Sequence, residues 1–288
     1  MQGMPLTPMS PALFDLSGQV AVITGGSGAL GRAVALGLAG AGAKVAVLAR
    51  HAEAVGRVVA ELQAATAGGT AGAPGAALGL VCDVVDLAQL EAARDAVLAQ
   101  WGHIDILVNA AGGNQPAATV LPGASFFDLD PDAVRSVMEL NFMGTFLAIR
   151  VFGTAMAEAG TGSVVNVSSM TAWRPMTRVV GYGVAKAGVE NLTRWLAEHF
   201  ARQLSPGIRV NAIAPGWFLG DQNRALMTNP DGSLTERGQS VVSRTPMGRL
   251  GTPEDLVGTV LWLASSASSF VTGAVVPIDG GFSAVMGI

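Results

Sequence analysis

The stretch Val20-Ala21-Val22-Ile23-Thr24-Gly25-Gly26-Ser27-Gly28-Ala29-Leu30-Gly31 decides the fold. Its first residues form a short run of branched apolar side chains, and glycines bound it. Such a run reads as a buried strand. Beyond the turn the pattern becomes helical, to about residue 41. Glycines between a strand and a helix let the backbone turn tightly and approach a pyrophosphate closely. The helix N-terminus adds free N–H groups and the positive end of its dipole.

Reading outward, strand and helix patterns alternate to the end of the chain. Strands are expected at 44–49, 77–83, 104–109, 163–168, 208–213 and 274–278, and helices at 52–65, 87–101, 131–159, 180–204 and 253–265. The strands are near-continuous valine, isoleucine and alanine, which indicates a sheet covered on both faces. The expected fold is α/β: a Rossmann-like doubly wound parallel sheet of about seven strands, as a single domain over 1–288. Residues 1–17 read as an N-terminal extension, 66–75 as a glycine-rich loop, and 217–246 as a lid-like insertion over the site.

Composition narrows the function. The chain has 288 residues, half of them apolar and 13% charged, which argues against disorder. Net charge is −4 and no lysine or arginine run occurs, so no nucleic-acid partner is expected. Glycines, charges or turn residues interrupt every apolar run, so no membrane span is expected either. The single cysteine, Cys82, and the absence of a signal-peptide pattern point to the cytoplasm. The three histidines are scattered without a carboxylate at ligand spacing, so no metal site is expected. No Gly-x-Ser-x-Gly elbow is present, which disfavours serine hydrolysis.

Tyr182-Gly183-Val184-Ala185-Lys186 opens a helical stretch and contains the only tyrosine. Residues four apart share a helix face, and an ammonium beside a phenol favours the phenolate. A phenol tuned in this way can protonate a forming alkoxide or deprotonate an alcohol. Ser168-Ser169 ends the preceding strand, and Asn141 lies in the apolar helix before that. A buried asparagine in such a helix needs a reason.

Together the glycine turn and this set resemble the short-chain dehydrogenase/reductase family. The turn is similar to Thr-Gly-x-x-x-Gly-x-Gly, with Ala29 at the middle glycine, and Asn109-Ala110-Ala111-Gly112 is similar to the family's Asn-Asn-Ala-Gly. The resemblance implies that Tyr182 is the acid/base and that Ser169 hydrogen-bonds the substrate oxygen. It implies that Lys186 holds the ribose hydroxyls and tunes Tyr182, and that Asn141 positions a water linking Lys186 to solvent. For the cofactor it implies contacts from Gly25, Ser27, Gly28, Leu30, Gly31, Arg50, Asp83, Asn109, Ala111, Gly112, Tyr182, Lys186, Pro215, Gly216 and Phe218. Gly220 stands where a threonine usually binds the carboxamide, which leaves backbone groups of Phe218 as the expected partner.

The second strand ends Leu48-Ala49-Arg50-His51, with no carboxylate to hold a ribose 2′-hydroxyl. A guanidinium suits a 2′-phosphate, so NADP(H) is favoured over NAD(H). Several stretches, chiefly Arg174-Pro175-Met176-Thr177-Arg178 and the run from Gly216 to Arg224, resemble the D-mannonate oxidoreductases of that family, also called fructuronate reductases. Gln115 stands where a histidine is expected there. A sugar-acid site needs cationic donors and amides, and Asn114, Arg174, Arg178, Gln222, Asn223 and Arg224 supply those types. Two alternatives stay open: a reductase of another keto acid, polyol or apolar ketone, and a nucleotide-binding sensor without turnover. The resemblance also implies a homotetramer, and a dimer is the alternative; the 131–159 and 180–204 helices are apolar around much of their circumference.

Overall fold

The computed structural model describes residues 11–66, 77–176, 178–220 and 223–284. The loop expected at 66–75 lies almost wholly outside those residues, as do Gln222 and the last four residues. Seven strands form one sheet in the order β3-β2-β1-β4-β5-β6-β7, parallel throughout. They are β1 (Val20–Thr24), β2 (Lys44–Ala49), β3 (Ala77–Val81), β4 (Ile106–Asn109), β5 (Gly162–Val167), β6 (Ile208–Pro215) and β7 (Val275–Ile278). The order reverses between β1 and β4, and a crevice opens at the carboxyl ends of strands at such a switch point.

Strand residues alternate between two cores, as the pleat requires. Ala21, Ile23, Val45, Val47, Ile106 and Val108 face one core, with α1 (Ala29–Gly40) and α2 (Ala52–Thr66) against them. Val20, Val22, Ala46, Leu48 and Leu107 face the other, under α3 (Leu87–Trp101). Leu16 is fully buried in the first core, so the expected N-terminal extension is already part of the body at its end.

The helix expected over 131–159 is three segments: α4 (Pro131–Met138), a π-helical turn (Glu139–Met143) and α5 (Gly144–Ala159). Asp130 caps α4 by accepting from the Asp132 N–H at 2.9 Å. The whole stretch is long and apolar enough to cross a membrane by composition alone. Its apolar side chains serve the core instead, with Ala148, Ile149, Phe152 and Met156 buried in the second cluster. α6 (Val180–Gln203) lies on the same side of the sheet, with Leu196 and Ala197 in that cluster.

The 217–246 segment contains α7 (Arg224–Met227) and α8 (Glu236–Arg244). The helix expected over 253–265 begins as a 3-10 turn (Pro253–Leu256) and continues as α9 (Val257–Ala264), which seals the first core. Phe152 is among the largest fully buried side chains. Phe152→Ala is expected to lower stability by about 3–5 kcal/mol, from lost burial and the cavity left behind; urea denaturation read by circular dichroism checks this.

Candidate active site

The glycine turn follows β1 at the switch point. Gly25 has φ +65°, and a Cβ there would lie 2.6 Å from the Ala111 backbone. Only glycine lets the turn pack against the β4 loop in this way. A Cβ on Gly31 would collide with the Gly25 carbonyl. Two adjoining cavities open over the turn, and both are lined by Gly25, Gly28, Ala110 and Gly112.

The smaller cavity, about 170 Å³, is also lined by Ser27, Arg50, His51, Asp83 and Ala111. Arg50 is exposed and makes no ion pair with the described residues. Asp83 stands two residues past the end of β3 rather than on it. Its carboxylate accepts from the Val85 N–H at 3.2 Å, and Asp86, not Asp83, caps α3.

The larger cavity, about 430 Å³, is lined by Leu30, Gly31, Ser169, Tyr182, Lys186, Pro215, Gly216 and Phe218 among others. Ser169 caps a 3-10 turn (Met170–Ala172) just after β5, and its hydroxyl shares a hydrogen bond with Tyr182. The Tyr182 ring packs against a small cluster of Ala118, Ala133, Val134 and Val137, which fixes its direction. Lys186, one turn along α6, is 3% exposed. Its ammonium lies 5.5 Å from the Tyr182 ring centroid and donates to the Val167 carbonyl at 2.8 Å. Ser168 also lines the larger cavity, and its hydroxyl donates to the buried Glu190 carboxylate at 2.9 Å.

Asn141 sits in the π-helical turn and is fully buried. Its amide donates to the Gly113 carbonyl at 2.7 Å and to the Val137 carbonyl at 2.8 Å, and its oxygen accepts from the Gly113 N–H at 3.1 Å. A Cβ on Gly112 would lie 2.6 Å from that oxygen and 3.2 Å from the Lys186 ammonium. The bare backbone of Gly112 therefore lets Asn141 and Lys186 approach each other.

Burial pulls the Lys186 pKa down to about 8, and burial pushes the Tyr182 phenol up while its bond with Ser169 acts the other way. At pH 7 both groups hold their protons. The site can thus present a phenol to an acceptor oxygen, with a cation beside the phenolate that remains.

Other expected site residues lie elsewhere. Asn109 is buried off both cavities, where its amide donates to Asn166 at 2.9 Å across β4 and β5, so it braces the sheet. Asn223 lines the larger cavity, but its side chain accepts from the Gly220 N–H and donates to the Phe218 carbonyl. That bond takes one lone pair of the Phe218 carbonyl, one of the backbone groups expected to serve the carboxamide. The Asn114 amide donates to Thr119, and Gln115 to the Ala133 carbonyl. Arg174 donates to the Ser283 carbonyl. Arg224 is exposed, and Gln222 lies outside the described residues. Sequence reasoning missed Arg237, whose guanidinium lies over Trp217 at 5.6 Å. A single arginine in Thr235-Glu236-Arg237-Gly238 carries no pattern that singles it out.

The switch-point crevice and the paired phenol and ammonium define a nucleotide-grooved α/β oxidoreductase. A family model described as enoyl-(acyl carrier protein) reductase matches residues 26–283. The chain belongs to the short-chain dehydrogenase/reductase family. It is 48% identical to the uncharacterized oxidoreductase UxuB of Bacillus subtilis, across 97% of this chain and all of that one. It also matches the crystal structure of a candidate D-mannonate oxidoreductase from Haemophilus influenza with bound NAD, at TM-score 0.85 and 37% identity, covering 95% of this chain and 98% of that one. A gluconate 5-dehydrogenase from Burkholderia cenocepacia, in complex with NADP and tartrate, matches at TM-score 0.82 and 31% identity, covering 95% and 98%.

Lys186 also carries a stability prediction. Its pKa falls from 10.5 in the open chain to about 8 when folded. Between those values the unfolded chain holds a proton that the folded chain has released, so stability rises with pH. Relative to Lys186→Met, the wild type is expected to gain about 3 kcal/mol between pH 8 and pH 10.5. Paired urea titrations across that range measure it.

Proposed function

We propose that this chain interconverts a ketone and a secondary alcohol on a sugar acid of the D-fructuronate/D-mannonate type, using a nicotinamide cofactor. The observation that carries the reaction is the meeting of Ser169, Tyr182 and Lys186 in one cavity beside the glycine turn. The groove fits a dinucleotide. Backbone bare of side chains at Gly25, Gly28 and Gly112 runs through both cavities, and a free guanidinium, Arg50, stands at the far end. Gly25, Ser27, Gly28, Leu30, Gly31, Asp83, Ala111, Gly112, Pro215, Gly216 and Phe218 would hold the cofactor, with Lys186 on its ribose. When bound, the nicotinamide supplies or accepts the hydride.

The chain's own part is the proton. Tyr182 gives its phenolic proton to the carbonyl oxygen as that oxygen gains charge. Ser169 hydrogen-bonds the same oxygen and holds it within reach. The Lys186 ammonium stabilises the phenolate left behind, and Asn141 clasps the Gly112–Gly113 backbone and positions the water that returns a proton through Lys186. In the oxidative direction Tyr182 takes the proton instead. A nucleotide sensor has no need of this constellation, so turnover is the favoured reading.

Sugar-acid chemistry draws support from the relatives: one neighbour is a candidate D-mannonate oxidoreductase and another a gluconate 5-dehydrogenase. The substrate is a small molecule. Exposed apolar side chains at Phe146 on α5 and at Val184 and Trp195 on α6 offer surface for a homotetramer.

Purified protein assayed with D-fructuronate and D-mannonate is expected to turn over at least one; activity confined to another ketone would end the sugar-acid reading. Tyr182→Phe is expected to lower kcat by roughly 10²–10⁴-fold while cofactor affinity holds. Unchanged turnover would remove Tyr182 from the mechanism. For cofactor choice, the missing carboxylate after β2 and the free Arg50 favour NADP(H). Arg50→Ala is expected to raise KM for NADPH roughly 10- to 100-fold, from the loss of charge-assisted bonds, with little change for NADH. Wild type with higher kcat/KM for NADH than for NADPH would overturn this choice.

A further inference from the structure

Beside the larger cavity another of about 150 Å³ is lined by Trp217 and shares Phe218 with it, and here two donors have no acceptor among the described residues. The Nε of Arg237 and the Nε1 of Trp217 are both buried without a hydrogen-bond partner among the described residues. Trp217 stands between Gly216 and Phe218, which line the larger cavity. The Arg237 guanidinium stacks over the Trp217 ring at 5.6 Å. Among the described residues neither Arg237 nor Arg178 pairs with a carboxylate. The two cations feel each other: burial and then the charge of Arg178 hold Arg237 below the ordinary arginine range.

Arg178 carries a second signal. It precedes Tyr182 by four residues, just before α6, and it has φ +83°, the sole positive φ among the described non-glycine residues. That backbone is costly for a residue with a Cβ, and such outliers gather at ligand clamps. The Val120 N–H holds it by donating to the Arg178 carbonyl at 2.9 Å. Two mutually repelling cations and an indole N–H unsatisfied among the described residues lack one component, an anion. Buried donors left unpaired are costly, and an anion would satisfy them at once.

We propose that Arg237, with Arg178 opposite it and the Trp217 indole N–H beside it, binds the substrate's carboxylate and so selects sugar acids over the corresponding neutral polyols. This rests on the sugar-acid reading above. The chemistry suits it: a sugar acid carries its carboxylate at one end of the carbon backbone, several atoms from the carbonyl that Tyr182 serves. Arg237 and Arg178 are then specificity-determining residues, apart from the proton step.

The test is Arg237→Met, which keeps an apolar side chain over Trp217, and Arg237→Lys, which keeps the charge. With D-mannonate, Arg237→Met is expected to raise KM roughly 10- to 100-fold, with kcat changed far less. The kcat/KM ratio of D-mannonate to D-mannitol should fall by a similar factor, and Arg237→Lys should recover part of it. Calorimetric titration of tartrate into the NADP⁺-loaded protein should show binding that Arg237→Met abolishes, while NADPH affinity, read by fluorescence, stays. Arg178→Gly supplies a second, independent variant. It is expected to raise KM for D-mannonate and also to raise Tm by about 2–4 °C, because glycine accepts the positive φ.

An unchanged KM in Arg237→Met, with the wild type active on D-mannonate, would overturn the proposal and leave the sugar-acid reading standing. Equal losses on D-mannonate and D-mannitol would overturn it too, since Arg237 would then only pack its segment. Wild type inactive on both D-mannonate and D-fructuronate, yet binding tartrate through Arg237, would sink the sugar-acid reading and keep the anion subsite.

Discussion

The site depends on burying one ammonium. Lys186 is 3% exposed, and its hydrogen-bond partner among the described residues is the Val167 carbonyl. Desolvating a charge is costly unless nearby dipoles replace water. The surrounding backbone is arranged to do this. β5 ends with its Val167 carbonyl toward the cation, Gly112 carries no side chain that would fill the approach, and Asn141 grips Gly113 at both its N–H and its carbonyl. The π-helical turn explains how Asn141 reaches that far. One extra residue in the turn shifts its side chain off the register of an ordinary helix, and such turns recur at functional sites. The cation's lowered pKa, caused by burial, reflects what remains uncompensated, and the proposed proton step draws on that charge.

Much of this was legible in the sequence because it is written in short-range patterns. The seven strands are apolar runs bounded by glycine or polar residues, and alternating helices force them parallel. The glycine turn, Ser169, Tyr182 and Lys186 each sit near a strand end or within one helical turn, and it was their joint likeness to the family's motifs, in order and spacing, that located them. Boundaries were less legible. The sequence of 131–159 reads as one helix, because nothing in Glu139-Leu140-Asn141-Phe142-Met143 breaks helical periodicity. The π turn accompanies the bond of Asn141 to Gly113, a contact across 28 positions that local periodicity does not show. Asn109 was expected both to brace the sheet and to stand by the cofactor, and its side chain turns along the sheet to Asn166. The choice between those two directions is tertiary.

Polar residues of the 217–246 segment were the hardest to place, and the reason is physical. Asn223 looked like a substrate amide, but short loops fold by closing such side chains on their own backbone, and it does so with Gly220 and Phe218. Arg174 is likewise held by the Ser283 carbonyl near the chain's end. Residue type marks what a side chain can donate. Only the fold shows whether a neighbour has already taken it.

That distinction separates the two halves of the site. Groups proposed to move the proton are tied to regular elements: Lys186 to a strand carbonyl, Asn141 to a helix and to the loop after β4, Tyr182 against an apolar cluster. Their geometry follows from the sheet and changes little with surface sequence. Trp217, Arg178 and Arg237 are different. Trp217 and Arg178 sit on connecting segments and Arg237 in the first turn of α8; Trp217 and Arg237 carry buried donors left unsatisfied among the described residues, and Arg178 has a strained backbone. Leaving buried donors unpaired lowers stability, so a segment free to drift would be expected to close them on some nearby carbonyl. Their persistence is accounted for if binding, rather than folding, is what selects their arrangement. The fold can then keep one proton step while the connecting segments determine which molecule receives the proton.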